Sequence, residues 1–212
     1  VTDERERGRD AAPDGPGVTC QRILQAAEAA FVAQGFHVTT MDAIAASVRC
    51  SKKTVYKLFA SKDDLFRAVM ERRREEVARL PVDPHQPPEQ ALRDFLLRLA
   101  EILLRDSSIA LMRIAMAEAG RTSLLGPDWT KPRPETARLE LEEYLAQLAA
   151  AGGHDFGAAP EAARMLVGMA LGAFHHELMA GLEVSLPQEV LTGRIEHAVR
   201  IFLRGSRVEA AG

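Results

Sequence analysis

The chain has 212 residues, 47% of them hydrophobic but only 5% aromatic, which allows a large helical core and argues against a strand-rich fold. Its formal charge of −3 excludes a uniformly basic nucleic-acid binder, and its two cysteines, Cys20 and Cys50, exclude a disulfide framework or a cysteine metal cluster. A reducing, cytoplasmic setting with no membrane span is expected, since the most apolar run, Met165 to Phe174, is about half the length that crosses a bilayer.

Residues 1–18 are charged and then rich in Pro and Gly, and are expected to form a disordered tail. A first helix is predicted from Thr19, its N-cap, to Gln34, with Ile23, Ala27, Ala30 and Phe31 on one face. Gly35 ends it in a left-handed conformation, and Phe36 follows as the hydrophobic contact of that ending. A short second helix opens with a Thr39-x-x-Asp42 capping box and buries Met41, Ile44, Ala45 and Val48. A tight turn through Arg49 and Cys50 leads to a third helix, capped by Ser51 and carrying Lys52 to Phe59. A second capping box, Ser61-x-x-Asp64, opens a fourth helix that runs to about Leu80.

Two short helices joined by a tight turn make a helix-turn-helix, whose second helix enters the DNA major groove. Val55 and Phe59, four residues apart, pack inward, which leaves Lys52, Lys53, Tyr56 and Lys57 on the outer face. Between Thr19 and Lys62 there are six cations (Arg22, Arg49, Lys52, Lys53, Lys57, Lys62) against two anions, Glu28 and Asp42, in a chain that is negative overall. A small basic end on an acidic body suits a protein that meets phosphates at one end only.

Pro81 to Pro88 form a corner, because repeated Pro cannot continue a helix. Further helices are predicted at Glu89–Asp106, Ser108–Ala119, Pro134–Ala151, Pro160–Gly181 and Pro187–Arg204, with Ser185-x-x-Gln188 as another capping box. The fold class is therefore all-α. Residues 19–65 form an N-terminal three-helix helix-turn-helix domain, and residues 66–212 a C-terminal helical domain.

Chemistry-bearing patterns are few. His175-His176-Glu177 fails the zinc-protease spacing, because Ala180 stands where a second His would be required. Neighbouring helical residues also point about 100° apart, so the two imidazoles are poorly placed to share an ion, and no metal is expected. With no paired carboxylates, nucleophile motif or phosphate loop, neither an enzyme nor a cofactor is expected. Cys20 and Cys50 are read as structural, since a thiol switch requires a low pKa and exposure.

Ile23 to Val69 strongly resembles the DNA-binding domain of the TetR/AcrR family of transcription regulators. The resemblance rests on the Ala-rich first helix ending in Gly35-Phe36, then Thr39-Thr40-Met41 with Ile44-Ala45, Ser51-Lys52 with Thr54-Val55-Tyr56, Phe59, Ser61-Lys62 and Leu65-Phe66, in order and without a gap. The sequence departs from the usual pattern at Arg49, where Gly is common, at Lys53, where a small residue is common, and at Leu58, where His is frequent. Ile109 to Arg121, followed by Leu141 to Gly152, is similar to the C-terminal domain of an AefR-like subgroup.

The resemblance implies a homodimeric regulator that binds a palindromic DNA operator and is released, as a repressor, by an unknown small-molecule effector. Tyr56 and Lys57 are the foremost expected DNA contacts, against phosphates. Lys52 and Lys53, with Ser51 and Thr54 beside them, lie where phosphates or a guanine edge are reached, and Lys62 holds the backbone. Thr40 is either a plain cap or a backbone contact, and Arg49 either meets phosphate or is solvated. The expected effector pocket is lined by Phe95, Met112, Met116, Trp129, Met165, Met169, Phe174 and His175, with core packing as the alternative role of the methionines. The last two helices are expected at the dimer seam through Gly168, Gly172, Ile195, Val199 and Phe202. An activator, or a regulator whose effector is a protein, remains open.

Overall fold

The computed structural model describes residues 16–119, 140–182 and 187–208. Among them are nine α-helices and no strand: α1 Pro16–Gln34, α2 Met41–Ser47, α3 Lys52–Leu58, α4 Lys62–Ala78, α5 Pro88–Leu103, α6 Asp106–Glu118, α7 Glu140–Ala150, α8 Ala159–Met179 and α9 Gln188–Gly205. The chain divides into two compact units between Val69 and Met70, inside α4. The expected division after residue 65 falls in the same helix.

The helix starts of α1, α2 and α6 differ from expectation, α6 beginning at Asp106 instead of Ser108. α1 begins at Pro16, so Gly17 and Val18 are helical and Thr19 lies inside the helix instead of capping it. At α2 the cap is Thr40, whose side chain accepts a hydrogen bond from the Ala43 amide at 3.1 Å. Thr39 is buried, and its hydroxyl donates back to the carbonyls of Ala30 (3.2 Å) and Gly35 (2.8 Å). The capping-box register is therefore one residue later than the sequence pattern suggests. Ser61 caps α4 as expected, accepting from the Asp64 amide at 3.0 Å.

The first unit is organised by aromatic contact. Phe31, Phe36 and Phe66 meet pairwise with ring centroids 5.3–5.7 Å apart. Ile23, Ile44, Val55 and Leu65 complete a core with almost no solvent exposure. Burying each such side chain contributes about 1.5–3 kcal/mol.

The second unit is held by aliphatic stripes. α5 buries Leu92, Phe95, Leu96 and Leu99 on one face, α8 buries Ala163, Leu166, Ala170 and Leu171, and α9 buries Leu191, Ile195, Ala198 and Val199. These faces form one cluster with Leu141, Tyr144 and Leu145 of α7. α9 packs on α5 and α8, while α7 packs on α8. Gly181 ends the α8 segment with φ +83°, so the amides of Gly181 and Leu182 reach the carbonyls of Leu178 and Glu177. The segment between α7 and α8 is clipped to the end of α9. Asp155 N–H donates to Ser206 O at 2.7 Å, Val208 N–H donates to Gly153 O at 3.2 Å, and His154, Phe156 and Phe202 stack in sequence.

Candidate nucleic-acid interface and effector cavity

α3 is a seven-residue helix whose one buried side chain is Val55. Ser51 starts it, accepting from the Thr54 amide at 3.0 Å and sharing a 2.8 Å hydrogen bond with the Thr54 hydroxyl. Phe59, just past its end, is also buried. The helix is thus pinned from beneath, while Lys53, Tyr56 and Lys57 are exposed. Tyr56 shows about half its surface to solvent.

The turn before α3 is a strained device. The amides of Arg49 and Cys50 reach back to the carbonyls of Ala46 (3.1 Å) and Ala45 (3.0 Å) in the last turn of α2. This pattern puts the residue after the cap in the left-handed region, and Arg49 occupies it with φ +54°. Glycine adopts that conformation freely, whereas a side chain there costs roughly 1–2 kcal/mol. The Arg49 side chain is solvent-exposed beside α3.

The structure separates the expected DNA contacts into two groups. Arg49, Lys53, Tyr56 and Lys57 present free outer side chains among the described residues, whereas others are already engaged. Lys52 pairs with Asp42 of α2. Thr40 and Ser51 are occupied as caps, and the Thr54 hydroxyl is bonded to Ser51. Lys62 is placed differently from expectation. Its ammonium donates to the carbonyls of Phe36 (2.6 Å), His37 (3.3 Å) and Thr39 (2.9 Å) and lies 4.5 Å from the Phe36 ring centroid. All three of its donors face the α1–α2 turn, so Lys62 is a latch within the first unit and not a free cation for phosphate. Nothing in the sequence pattern marks this role, because the acceptors are main-chain atoms.

The second unit holds an apolar cavity of about 210 Å³. Met70 and Val77 of α4, Ile102 and Leu103 of α5, and Leu111 and Met112 of α6 line it. Arg73 and Arg74 lie on its wall, with Arg73 donating to Ser107 Oγ at 2.7 Å and pairing with Glu76, and Arg74 pairing with Glu71. Of the expected pocket residues that are described, only Met112 lines this cavity. Phe95 is buried in the main core, and Met169 and Phe174 pack against it. Arg194 covers the Phe174 ring at 5.9 Å. Met116 and Met165 are more than half exposed. His175 is half-buried, and burial, with His176 beside it, holds its pKa below the ordinary value. Trp129 lies outside the described residues, as does Ser185.

The expected dimer residues also separate. Ile195 and Val199 have no exposed surface and belong to the chain's own core, so they offer no area to a second copy. Phe202 is stacked on Phe156 at 5.2 Å. Gly168 and Gly172 face open space, with no atom within 4 Å of where a Cβ would stand. The exposed apolar residues of α8 and α9 are instead Met165, Val190 and Ile201. Among the described residues no group of three or more His, Cys, Asp or Glu side chains is placed to hold a metal, and no helix is long and apolar enough to cross a membrane.

Comparison with known proteins gives a consistent result. Residues 23–69 match the family model described as bacterial regulatory proteins, tetR family, and residues 90–205 match the C-terminal domain of AefR-like transcriptional repressors. The HTH-type transcriptional regulator Rv1556 of Mycobacterium tuberculosis is 32% identical over 161 residues, 75% of each chain. A TetR-family regulator from Mesorhizobium loti superposes with a TM-score of 0.80 at 26% identity, over 92% of this chain and 100% of that one. The flavonoid-responsive regulator FrrA superposes with a TM-score of 0.72 at 30% identity, again over 92% and 100%.

Proposed function

This chain belongs to the TetR family and is a DNA-binding transcriptional regulator; we propose that it is a homodimeric repressor, released from a palindromic operator by a small apolar effector. The observation that carries the reading is the outer face of α3, where Lys53, Tyr56 and Lys57 stand exposed over a helix fixed by Val55 and Phe59. Cations and a phenol on that face suit phosphate and base-edge contact. The site of action is the cytoplasm, where bacterial DNA is found.

Dimerisation is supported by the exposed faces of α8 and α9, where Met165, Val190 and Ile201 lie at the surface and Gly168 and Gly172 leave room for close approach. Two recognition helices one DNA turn apart then require a roughly two-fold symmetric operator. Effector release is supported by the apolar cavity. A cavity of about 150 Å³ holds one benzene ring, so about 210 Å³ suits a compact apolar molecule. FrrA is named as flavonoid-responsive, so simple phenols and flavonoids are the first compounds to screen. α4 supplies Leu65 and Phe66 to the first unit's core and Met70 and Val77 to the cavity wall, which makes it the proposed lever. The effector must favour the released conformation over the DNA-bound one, otherwise it shifts nothing.

A gel shift with DNA selected by the full chain tests the proposal. The double variant Tyr56→Ala, Lys57→Ala is expected to remain a folded dimer while its affinity drops at least about a hundredfold, given the loss of phosphate contacts in both subunits. Normal binding by that folded variant would remove α3 from the interface. Transcription from a promoter carrying the operator should rise when the protein is omitted or the effector added; a fall would make it an activator.

A further inference from the structure

We infer that Lys53 selects a guanine in each half of the operator, making it a specificity-determining residue, while Lys57 supplies sequence-independent grip. The inference rests on DNA binding through α3. At 3.6 residues per turn, Lys53 and Lys57 each lie about 160° around the helix from the buried Val55, which places both on its crown. Tyr56 lies about 100° from Val55 and Lys52 about 60°, so both sit on its flanks. Lys52 also reaches across to Asp42 on α2. An exposed pair of this kind holds weakly, but it sets the direction in which the ammonium leaves the helix and keeps an anion beside it. The hydroxyls of Ser51 and Thr54 are bonded to each other. Among the described residues, Lys53 is thus the one cation near the start of α3 that points straight out with no ion-pair partner.

Position along the helix separates the two crown lysines. In helix-turn-helix docking the N-terminal residues of the second helix face base edges. Lys53 is the second residue of α3, and Lys57 stands one turn further on, at its far end. The chemistry of an ammonium then selects the base. Lysine only donates, and guanine presents two adjacent acceptors, O6 and N7, in the major groove. Adenine sets a donor amine beside its N7, cytosine presents a donor amine, and thymine offers a single acceptor, O4, beside its methyl group, so guanine alone gives a lysine two adjacent acceptors.

The test sequences the duplexes retained by the full chain from a random pool, for the unaltered protein, Lys53→Met, Lys53→Arg and Lys57→Met. Circular dichroism checks that each variant stays folded. The unaltered chain should enrich a guanine at one position per half-site, by about tenfold over other bases. Lys53→Met should make that position degenerate and leave the rest of the motif intact, and Lys53→Arg should restore it. Lys57→Met should weaken all duplexes alike and lower the salt dependence of binding by about one counterion per subunit. The inference is overturned if Lys53→Met keeps the motif unchanged. A uniform loss with a reduced salt dependence would likewise make Lys53 a phosphate contact. Failure of the unaltered chain to enrich any sequence would sink the operator reading itself, and this inference with it.

Discussion

Residues 16–69 close around three phenylalanine rings, whereas residues 70–208 close around aliphatic stripes on α5, α8 and α9. The first unit joins the 19-residue α1 to α2 and α3, which have only seven residues each. Helices that short have little stability of their own, so caps, the Lys62 latch and ring contacts fix their positions. In the second unit every described helix is longer than α2 and α3, up to 21 residues in α8, and side-chain burial along whole faces does the same work. Placement of a polar surface thus rests on a few directional contacts in one unit and on many interchangeable ones in the other.

The largest test of that contrast is Phe31→Ala set against Leu166→Ala, both of which delete fully buried side chains. Phe31→Ala should cost about 3–5 kcal/mol and abolish DNA binding, since both ring partners lose contact. Leu166→Ala should fall in the lower part of the 2–5 kcal/mol range, because aliphatic neighbours relax into the hole. Equal losses in denaturant melts would erase the distinction.

Next in size is Lys62→Met, which removes three charge-assisted hydrogen bonds but keeps the stem. A loss of about 1–3 kcal/mol is expected, with weaker DNA binding and no change in its salt dependence. A salt slope reduced by about one per subunit would return Lys62 to the phosphates.

Arg49→Gly is expected to act in the opposite direction. Relief of the left-handed backbone should stabilise the fold by about 1 kcal/mol, while loss of the exposed cation weakens DNA binding and its salt dependence. Stabilisation with unchanged DNA binding would mean that Arg49 is merely solvated.

The smallest effect is in the second unit. Because the folded pKa of His175 is depressed, the unfolded chain takes up a proton first as pH falls below the ordinary value of 6.5. The contribution of His175 to stability is therefore complete above that value and lost progressively below it. The melting temperature should decline slightly on acidification, and His175→Gln should remove that part of the decline. An unchanged pH profile would mean that the imidazole is solvated in the folded chain.

The same contrast explains how much was legible in the sequence. On α3 a single buried position orients every other residue, so Val55 and Phe59 alone predict that Lys53, Tyr56 and Lys57 face outward. The tight turn through Arg49 and Cys50 was equally readable, but the left-handed conformation of Arg49 was not, because no glycine marks it. Lys62 and Thr39 were not, since their partners are carbonyls of a turn that exists only once folded. In α8 and α9, apolar residues are needed for the core and also remain at the surface. Periodicity finds the helix without saying which of Met165, Met169, Ile195 and Ile201 is inside. The cavity residues Met70, Ile102 and Leu111 come from three helices, and no single stretch of sequence brings them together.

The clip between residues 153–156 and Ser206–Val208 has a practical consequence for engineering. A reporter or affinity tag fused beyond Val208 would leave every bond of the clip in place. Truncation after Gly205 would remove the Ser206 carbonyl and hydroxyl that hold Asp155 and His154, freeing the lid of the Phe156–Phe202 stack. A few terminal residues therefore decide whether a shortened version remains a sound scaffold for biosensor design.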